Sequence, residues 1–170
     1  MTPYIDLLGH MEWADAHIWT AALNAPGLAH DAGMLERFHH FHSTQWAYLQ
    51  ALLGRPLDIP ALSTFADLRA AGVWARRFYR ELPALRGTLI GARLDAQVEF
   101  PWGAQVAELL GRAAAPANVA ECILQLALHT AHHRGQVATA LRTAGVEPPT
   151  IDYIAWIWTG RPAPDWNGLA

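Results

Sequence analysis

Apolar residues return every three to four positions over four long stretches of the chain, the spacing that gathers them on one side of an α-helix. The first stretch carries Leu7, Leu8, Met11, Ala14, Ile18, Ala21 and Ala22, and Pro26-Gly27 closes it. A second starts after Asp31, a residue suited to the N-cap. It carries Met34, Phe38, Phe41, Tyr48 and Leu52 and stops at Gly54-Arg55-Pro56. Beyond a loop rich in Pro and Leu, Ser63 or Thr64 can cap a third helix through Phe65, Leu68, Val73, Trp74 and Phe78. Pro83 is expected to kink or divide that helix, with the remainder running to about Ala92. The last long helix is expected to begin near Pro116 and to carry Val119, Cys122, Leu126, His129, His133, Val137 and Ala140 on one stripe before Gly145 ends it.

Between the third and last long helices, Ala96-Gln97-Val98-Glu99-Phe100-Pro101-Trp102-Gly103 alternates weakly and then turns. It reads as an irregular loop or small hairpin, too short for a sheet. After Pro148-Pro149, the segment Ile151 to Trp158 is too apolar to float free and is expected to fold back over the helices. Four amphipathic helices without convincing strands predict an all-α fold, an antiparallel four-helix bundle with a C-terminal tail packed on it. The 170 residues, with no repeat and no low-complexity segment, suit a single domain over 1–170 that buries its own core.

Composition narrows the function classes. All 12 basic residues are arginine, which removes Schiff-base lysine chemistry and a P-loop lysine. The arginines are scattered among 15 acids for a net charge of -3, so a nucleic-acid partner is not expected. Cys122 is the sole cysteine, which excludes an intrachain disulfide and a cysteine-based zinc knuckle and suits a reducing cytoplasm. The N-terminal Met1-Thr2-Pro3-Tyr4-Ile5-Asp6 lacks the pattern of a leader, and no apolar run is long enough to span a bilayer, so a soluble protein without a membrane partner is expected.

Chemistry concentrates in His129-Thr130-Ala131-His132-His133-Arg134-Gly135-Gln136. Residues four apart on a helix have Cβ atoms roughly 5–6 Å apart, so the imidazoles of His129 and His133 can grip one metal ion. The competing reading is that each ring hydrogen-bonds a carbonyl or side chain, since a buried unpaired imidazole is costly. A stacked pair, with a further cluster at His39, His40 and His42 on the second helix, tips the balance toward a metal. Arg134 is expected to pair with a carboxylate or cap a neighbouring helix, Gly135 to admit a close backbone, and Gln136 to orient a ligand better than Gln45 can. His132 points off the stripe and reads as structural, while His10 and His17 are expected to be partly exposed. Cys122, two turns before His129, reads as a small core residue. A ferritin-like di-iron site needs two Glu-x-x-His motifs, and only Glu36-Arg37-Phe38-His39 supplies one.

Three stretches resemble the DinB-like family of metal-binding four-helix bundles. Trp13-Ala14-Asp15 is similar to the family's Trp-Ala-Asn signature, with Asp in place of Asn. The stretch from His40 to Gly54-Arg55-Pro56 is similar to its second-helix histidine segment. The run His129 to Gln136, with Gly145, Pro148-Pro149 and Asp152, resembles its fourth helix and exit loop and is the most specific of the three. The likeness runs over nearly the whole chain and is weakest between Pro56 and Arg112.

The resemblance implies a divalent ion, nickel or zinc, held by three histidines: His129, His133 and one from the second helix. The family spacing, counted back from Gly54, lands on His40. Periodicity instead centres His42 on the large apolar face and puts His40 on a face of small residues with Thr44, Ala47 and Ala51, so His42 and then His39 stay open as alternatives. Three neutral nitrogens leave a coordination position for water or substrate, where an ion lowers the pKa of bound water or holds a thiol as thiolate. The resemblance therefore implies a metal-dependent enzyme of thiol-transferase or hydrolase type acting on a small molecule, with a low-molecular-weight thiol as a candidate partner. The alternatives are a non-catalytic metal-binding stress protein and a metal-free structural bundle. It also implies a homodimer. Asp15, Glu121 and Asp152 are candidate acids or bases if the fold brings one near the ion.

Overall fold

The computed structural model describes residues 3–87, 89 and 91–169 and is mostly helical. Four long helices dominate: α1 (Pro3–Asn24), α2 (Ala32–Leu52), α3 (Leu68–Arg86) and α5 (Val119–Thr143). The short α4 (Gly103–Leu110) and α6 (Tyr153–Trp158) accompany them. Packing joins α2 to α3 and α5, and α1 to α5 and α3, so each long helix has two long neighbours. The core between them holds Leu8, Met11, Ile18 and Trp19 of α1 with Met34, Phe38, Phe41 and Leu49 of α2. Leu68, Phe78 and Leu82 of α3 and Ile123, Leu126, Val137 and Leu141 of α5 complete it.

Helix ends follow local chemistry. Asp31 caps α2, its carboxylate accepting from Met34 N at 2.6 Å, and Gly54 past the far end takes φ 65°. The third helix starts later than the sequence suggested. Ser63 and Thr64 lie in a 3-10 turn, Leu62–Thr64, and Asp67 is the cap, accepting from Ala70 N at 2.8 Å. That start turns Val73 outward, 49% exposed, instead of into the core. Pro83 does not divide the helix, which runs on to Arg86; so close to the C-terminal end its missing N–H disrupts little. The remainder expected to reach Ala92 is replaced by a separate 3-10 turn, Gly91–Asp95. Thr88 and Ile90 of that stretch lie outside the described residues, as do Met1 and Thr2 of the N-terminal reading.

The weakly alternating stretch supplies a two-residue strand, β1 (Gln97–Val98). It pairs antiparallel with β2 (Ala117–Asn118), Gln97 opposite Asn118 and Val98 opposite Ala117. The partner therefore lies across α4, not across a tight turn. Immediately after β2, Asn118 opens α5 with a capping box: its side chain accepts from Glu121 N at 2.9 Å while Glu121 accepts from Asn118 N at 2.8 Å. The helix thus begins three residues beyond Pro116.

The tail packs on the long helices. Trp156 is buried against Trp13 and Ala14, and Trp166 and Leu169 join the main core. Gly72 of α3 makes room for this, since a Cβ there would stand 2.6 Å from the side chain of Leu169. Arg69 and Arg76 donate to the carbonyls of Gly168 and Leu169 at 2.8 and 3.0 Å. Among the described residues no helix is long and apolar enough to cross a membrane.

Candidate metal centre

Helix α5 buries Val119, Cys122, Ile123, Leu126, Thr130, Arg134, Val137 and Leu141. His129 and His133, expected on this stripe, flank it half-buried on the side facing α2. His40 of α2 lies opposite them, its ring centroid 5.6 Å from that of His129 and 4.6 Å from that of His133. One nitrogen from each of His40, His129 and His133 lies within 4.8 Å of the other two. Among the described residues no other set of three His, Cys, Asp or Glu is so arranged.

The remaining second-helix histidines are engaged elsewhere. His42 is fully buried: Trp19 Nε1 donates to its Nε2 and its Nδ1 donates to Gln45 Oε1, both at 2.7 Å. Periodicity rightly put His42 on the apolar face, and there both its nitrogens are used. His39 bonds the carbonyl of Pro60 at 2.9 Å, so the lone Glu-x-x-His motif is spent on a loop anchor.

The pair on α5 has the spacing that a shared ion requires. Two nitrogens about 2.1 Å from one ion stand about 3.0 Å apart at a right angle and about 3.4 Å apart at the tetrahedral angle. His129 Nε2 and His133 Nε2 are 3.1 Å apart. His133 Nδ1 donates to Gln136 Oε1 at 2.7 Å, which leaves Nε2 as the bare lone pair aimed at His129. His129 Nδ1 is buried without a hydrogen-bond partner among the described residues, so the protein alone satisfies one of its two ring nitrogens. The donor set therefore fits a divalent ion of borderline softness.

Electrostatics agree with that fit. Burial, reinforced by the neighbouring His133, His40 and His132, pushes His129 down to about 4. Burial also lowers His133, aided by His40 and His132 and opposed by the hydrogen bond to Gln136. Both rings are thus uncharged at neutral pH, each with a nitrogen lone pair free for a cation. Gln136 Nε2 also reaches His132 Nε2 at 3.1 Å, so the amide holds two imidazoles of the motif at once.

Behind this cluster lies a buried polar network that sequence reading did not assemble. Arg134 pairs with Asp15 at 2.8 Å, both buried, which meets the expectation of a carboxylate partner. Tyr79 OH and, at 2.7 Å, Gln45 Nε2 donate to the other oxygen of Asp15, and Gln45 also reaches Thr130 Oγ1 at 3.3 Å. Trp19, His42, Gln45, Asp15, Tyr79, Thr130 and Arg134 so form one hydrogen-bonded chain through α1, α2, α3 and α5. Thr130 and Arg134 each follow a member of the histidine pair, so the network fixes the rotation of α5.

Other expectations fare differently. Asp15 is committed to the network and Glu121 to the capping box, while Asp152 sits at the N-cap of α6 without a side-chain capping bond. His10 is buried, 8% exposed, and bonds the carbonyl of Ile151 at 2.9 Å, because the tail covers it. Gly135 admits no close backbone; nothing lies within 4 Å of a Cβ there, and no contact explains it.

Comparison with curated proteins gives no match. Residues 113–164 match the family model of the DinB family. That segment spans under a third of the chain but contains His129, His133, Gln136, Gly145, Pro148-Pro149 and Asp152, the stretch whose likeness was most specific, and over it the chain is similar to the DinB family.

Proposed function

We propose that this protein is a divalent-metal-binding protein with His40, His129 and His133 as ligands, and that it is a metal-dependent enzyme of thiol-transferase or hydrolase type. One observation carries the reading: imidazoles from α2 and α5 converge, one nitrogen of each of the three within 4.8 Å of the others and the two on α5 3.1 Å apart. Neutral nitrogen donors suit nickel or zinc. When bound, such an ion supplies Lewis acidity, lowering the pKa of a water or small thiol that reaches it. Gln136 fixes the tautomer and direction of His133. His40, exposed on α2, opens the centre to solvent and so to a small-molecule substrate. A non-catalytic stress-response metal binder is the second reading, favoured by the commitment of Asp15 to a buried ion pair and of Glu121 to a capping box, which removes both from acid-base work.

The four long helices are taken as an antiparallel bundle in a single domain that acts as a homodimer in the cytoplasm. Leu124 and Leu128, exposed on α5, offer apolar surface for such pairing.

Elemental analysis of the protein, with His40→Ala, His129→Ala and His133→Ala, tests the ligand set. Near one ion per chain is expected in the parent and a loss of stoichiometric metal in each variant, with far-UV circular dichroism unchanged because all three residues lie outside the apolar core. Gln136→Ala is expected to weaken affinity about 10–100-fold without removing a ligand. Metal retained in both α5 variants refutes the assignment. Metal-dependent turnover of small thiols with electrophiles, or of hydrolysable esters and amides, separates enzyme from binder.

A further inference from the structure

Two clefts meet at Tyr48. One, about 280 Å³, is lined by His40, Thr44, Ala47, Tyr48, Ile59 and Trp102. The other, about 420 Å³, is lined by Tyr48, Phe100, Pro116, Glu121, Cys122 and Gln125. Together they run from the ligand His40 along the small-residue face of α2 toward the start of α5. Phe100 and Trp102 overhang them from the segment after β1.

The walls select for a chemical class. Ring centroids of Tyr48, Phe100 and Trp102 are 5.1–5.5 Å apart and mutually tilted, giving a continuous aromatic surface beside His40. A cavity of about 150 Å³ holds benzene, so the space admits a ring. Both aliphatic hydroxyls of the first cleft are engaged, that of Thr44 donating to its own helix at His40 O, 3.3 Å away, and that of Ser43 reaching His39 Nε2 at 3.4 Å. No arginine lines either cleft, and the carboxylate of Glu121 stands at the far end. Away from the metal end an anionic group finds no arginine and meets the carboxylate of Glu121, whereas a neutral apolar group finds a matching surface.

We propose that this double cleft receives the part of the substrate that extends away from the metal, that the group it takes is neutral and aromatic or apolar, and that Trp102 and Tyr48 determine that specificity. The proposal rests on the metal-centre reading and names the substrate class of that same site.

The test uses protein loaded with cobalt(II), titrated with benzyl mercaptan and with mercaptoacetate and followed in the cobalt visible spectrum. Benzyl mercaptan is expected to bind at least about tenfold more tightly, a factor in keeping with aromatic contacts of this kind. Trp102→Ala should remove about tenfold for benzyl mercaptan and leave mercaptoacetate unchanged, while Trp102→Phe restores most of the difference. Equal affinities, a preference for mercaptoacetate, or a Trp102→Ala effect common to both thiols overturns the proposal. Failure to load stoichiometric cobalt sinks the metal reading instead, and the cleft is then read on metal-free protein by saturation-transfer NMR with benzyl alcohol. Transfer lost in Trp102→Ala supports the cleft; no transfer to the parent protein overturns it.

Discussion

Acid should destabilise this protein through His42, and a variant can isolate the effect. His42 is fully buried, and burial is the largest cause pushing it from its ordinary 6.5 down to about 4. Asp15 and the hydrogen bond to Gln45 oppose the shift, and Arg134 and His39 add to it. Its neutral form is also structurally required, because Nε2 must accept from Trp19 while Nδ1 donates to Gln45, and protonation removes the acceptor. Between pH 6.5 and 4 the unfolded chain therefore binds a proton at this residue that the folded chain refuses, so stability falls as pH falls and is fully present above 6.5. A depression of this size is worth about 3 kcal/mol. Urea unfolding with chelator present, from pH 7.5 to 4, would be compared for the parent and His42→Gln. The variant is less stable at pH 7, but the parent should lose about 3 kcal/mol more than the variant on acidification. Other titrations, those of His10, His129 and His133 included, are common to both proteins and cancel. Parallel losses across that range would refute the claim that His42 is held neutral by burial.

Arg134→Met should cost about 3–5 kcal/mol, because it leaves the carboxylate of Asp15 buried without its cation; the double variant with Asp15→Asn should recover much of this in the same urea assay, and a mild single variant would mean that Tyr79 and Gln45 suffice for Asp15. Gly72 of α3 and Gly135 of α5 should respond with opposite sign. At Gly72 a methyl collides with Leu169, so alanine gains about 1 kcal/mol of helix propensity but expels a buried leucine worth about 2; a net loss near 1 kcal/mol is expected, with faster carboxypeptidase trimming of the tail. Gly135→Ala meets no atom and should stabilise by about 1 kcal/mol in thermal unfolding.

Most of the helical frame was legible because its signals are local. Apolar spacing marked α1, α2 and α5, and Asp31 was readable as a cap because one side chain reaches a backbone N–H three residues on. Boundaries slipped where two local signals competed. Pro116 is a good first-turn residue, yet Asn118-Val119-Ala120-Glu121 carries the capping-box pattern two residues later, and its two reciprocal bonds decide the start of α5. At α3, Ser63 and Thr64 drew the start forward although Asp67 makes the capping bond. Helix α4 was missed although Val106, Leu109 and Leu110 keep helical spacing, because eight residues give it little length and it buries none of them; Leu109 and Leu110 are 85% and 56% exposed. β1 was half-legible, since its pairing partner lies twenty residues away and two rungs leave almost no pattern.

The candidate site shows why spacing alone misplaces a residue by one step around a helix. Helical spacing put His129 and His133 on one stripe with Val119, Cys122, Leu126, Val137 and Ala140. Thr130 and Arg134 instead take the buried positions, which they can do because Asp15, Gln45 and Tyr79, from three other helices, satisfy them. That rotation matters for chemistry: a pair centred in the core would be shut from solvent, whereas a pair on the flank meets exposed His40 at the edge of α2. No window of sequence contains Asp15 together with Arg134, 119 positions apart. The one hint was a polar Asp15 among Met11, Ala14 and Ile18 on α1, facing a polar Gln45 on α2 and Arg134 on α5; each is costly to bury alone, and together they satisfy one another. A ligand set at the edge of the packed helices thus depends on a charge pair buried between them, because that pair sets which face of α5 the histidines present.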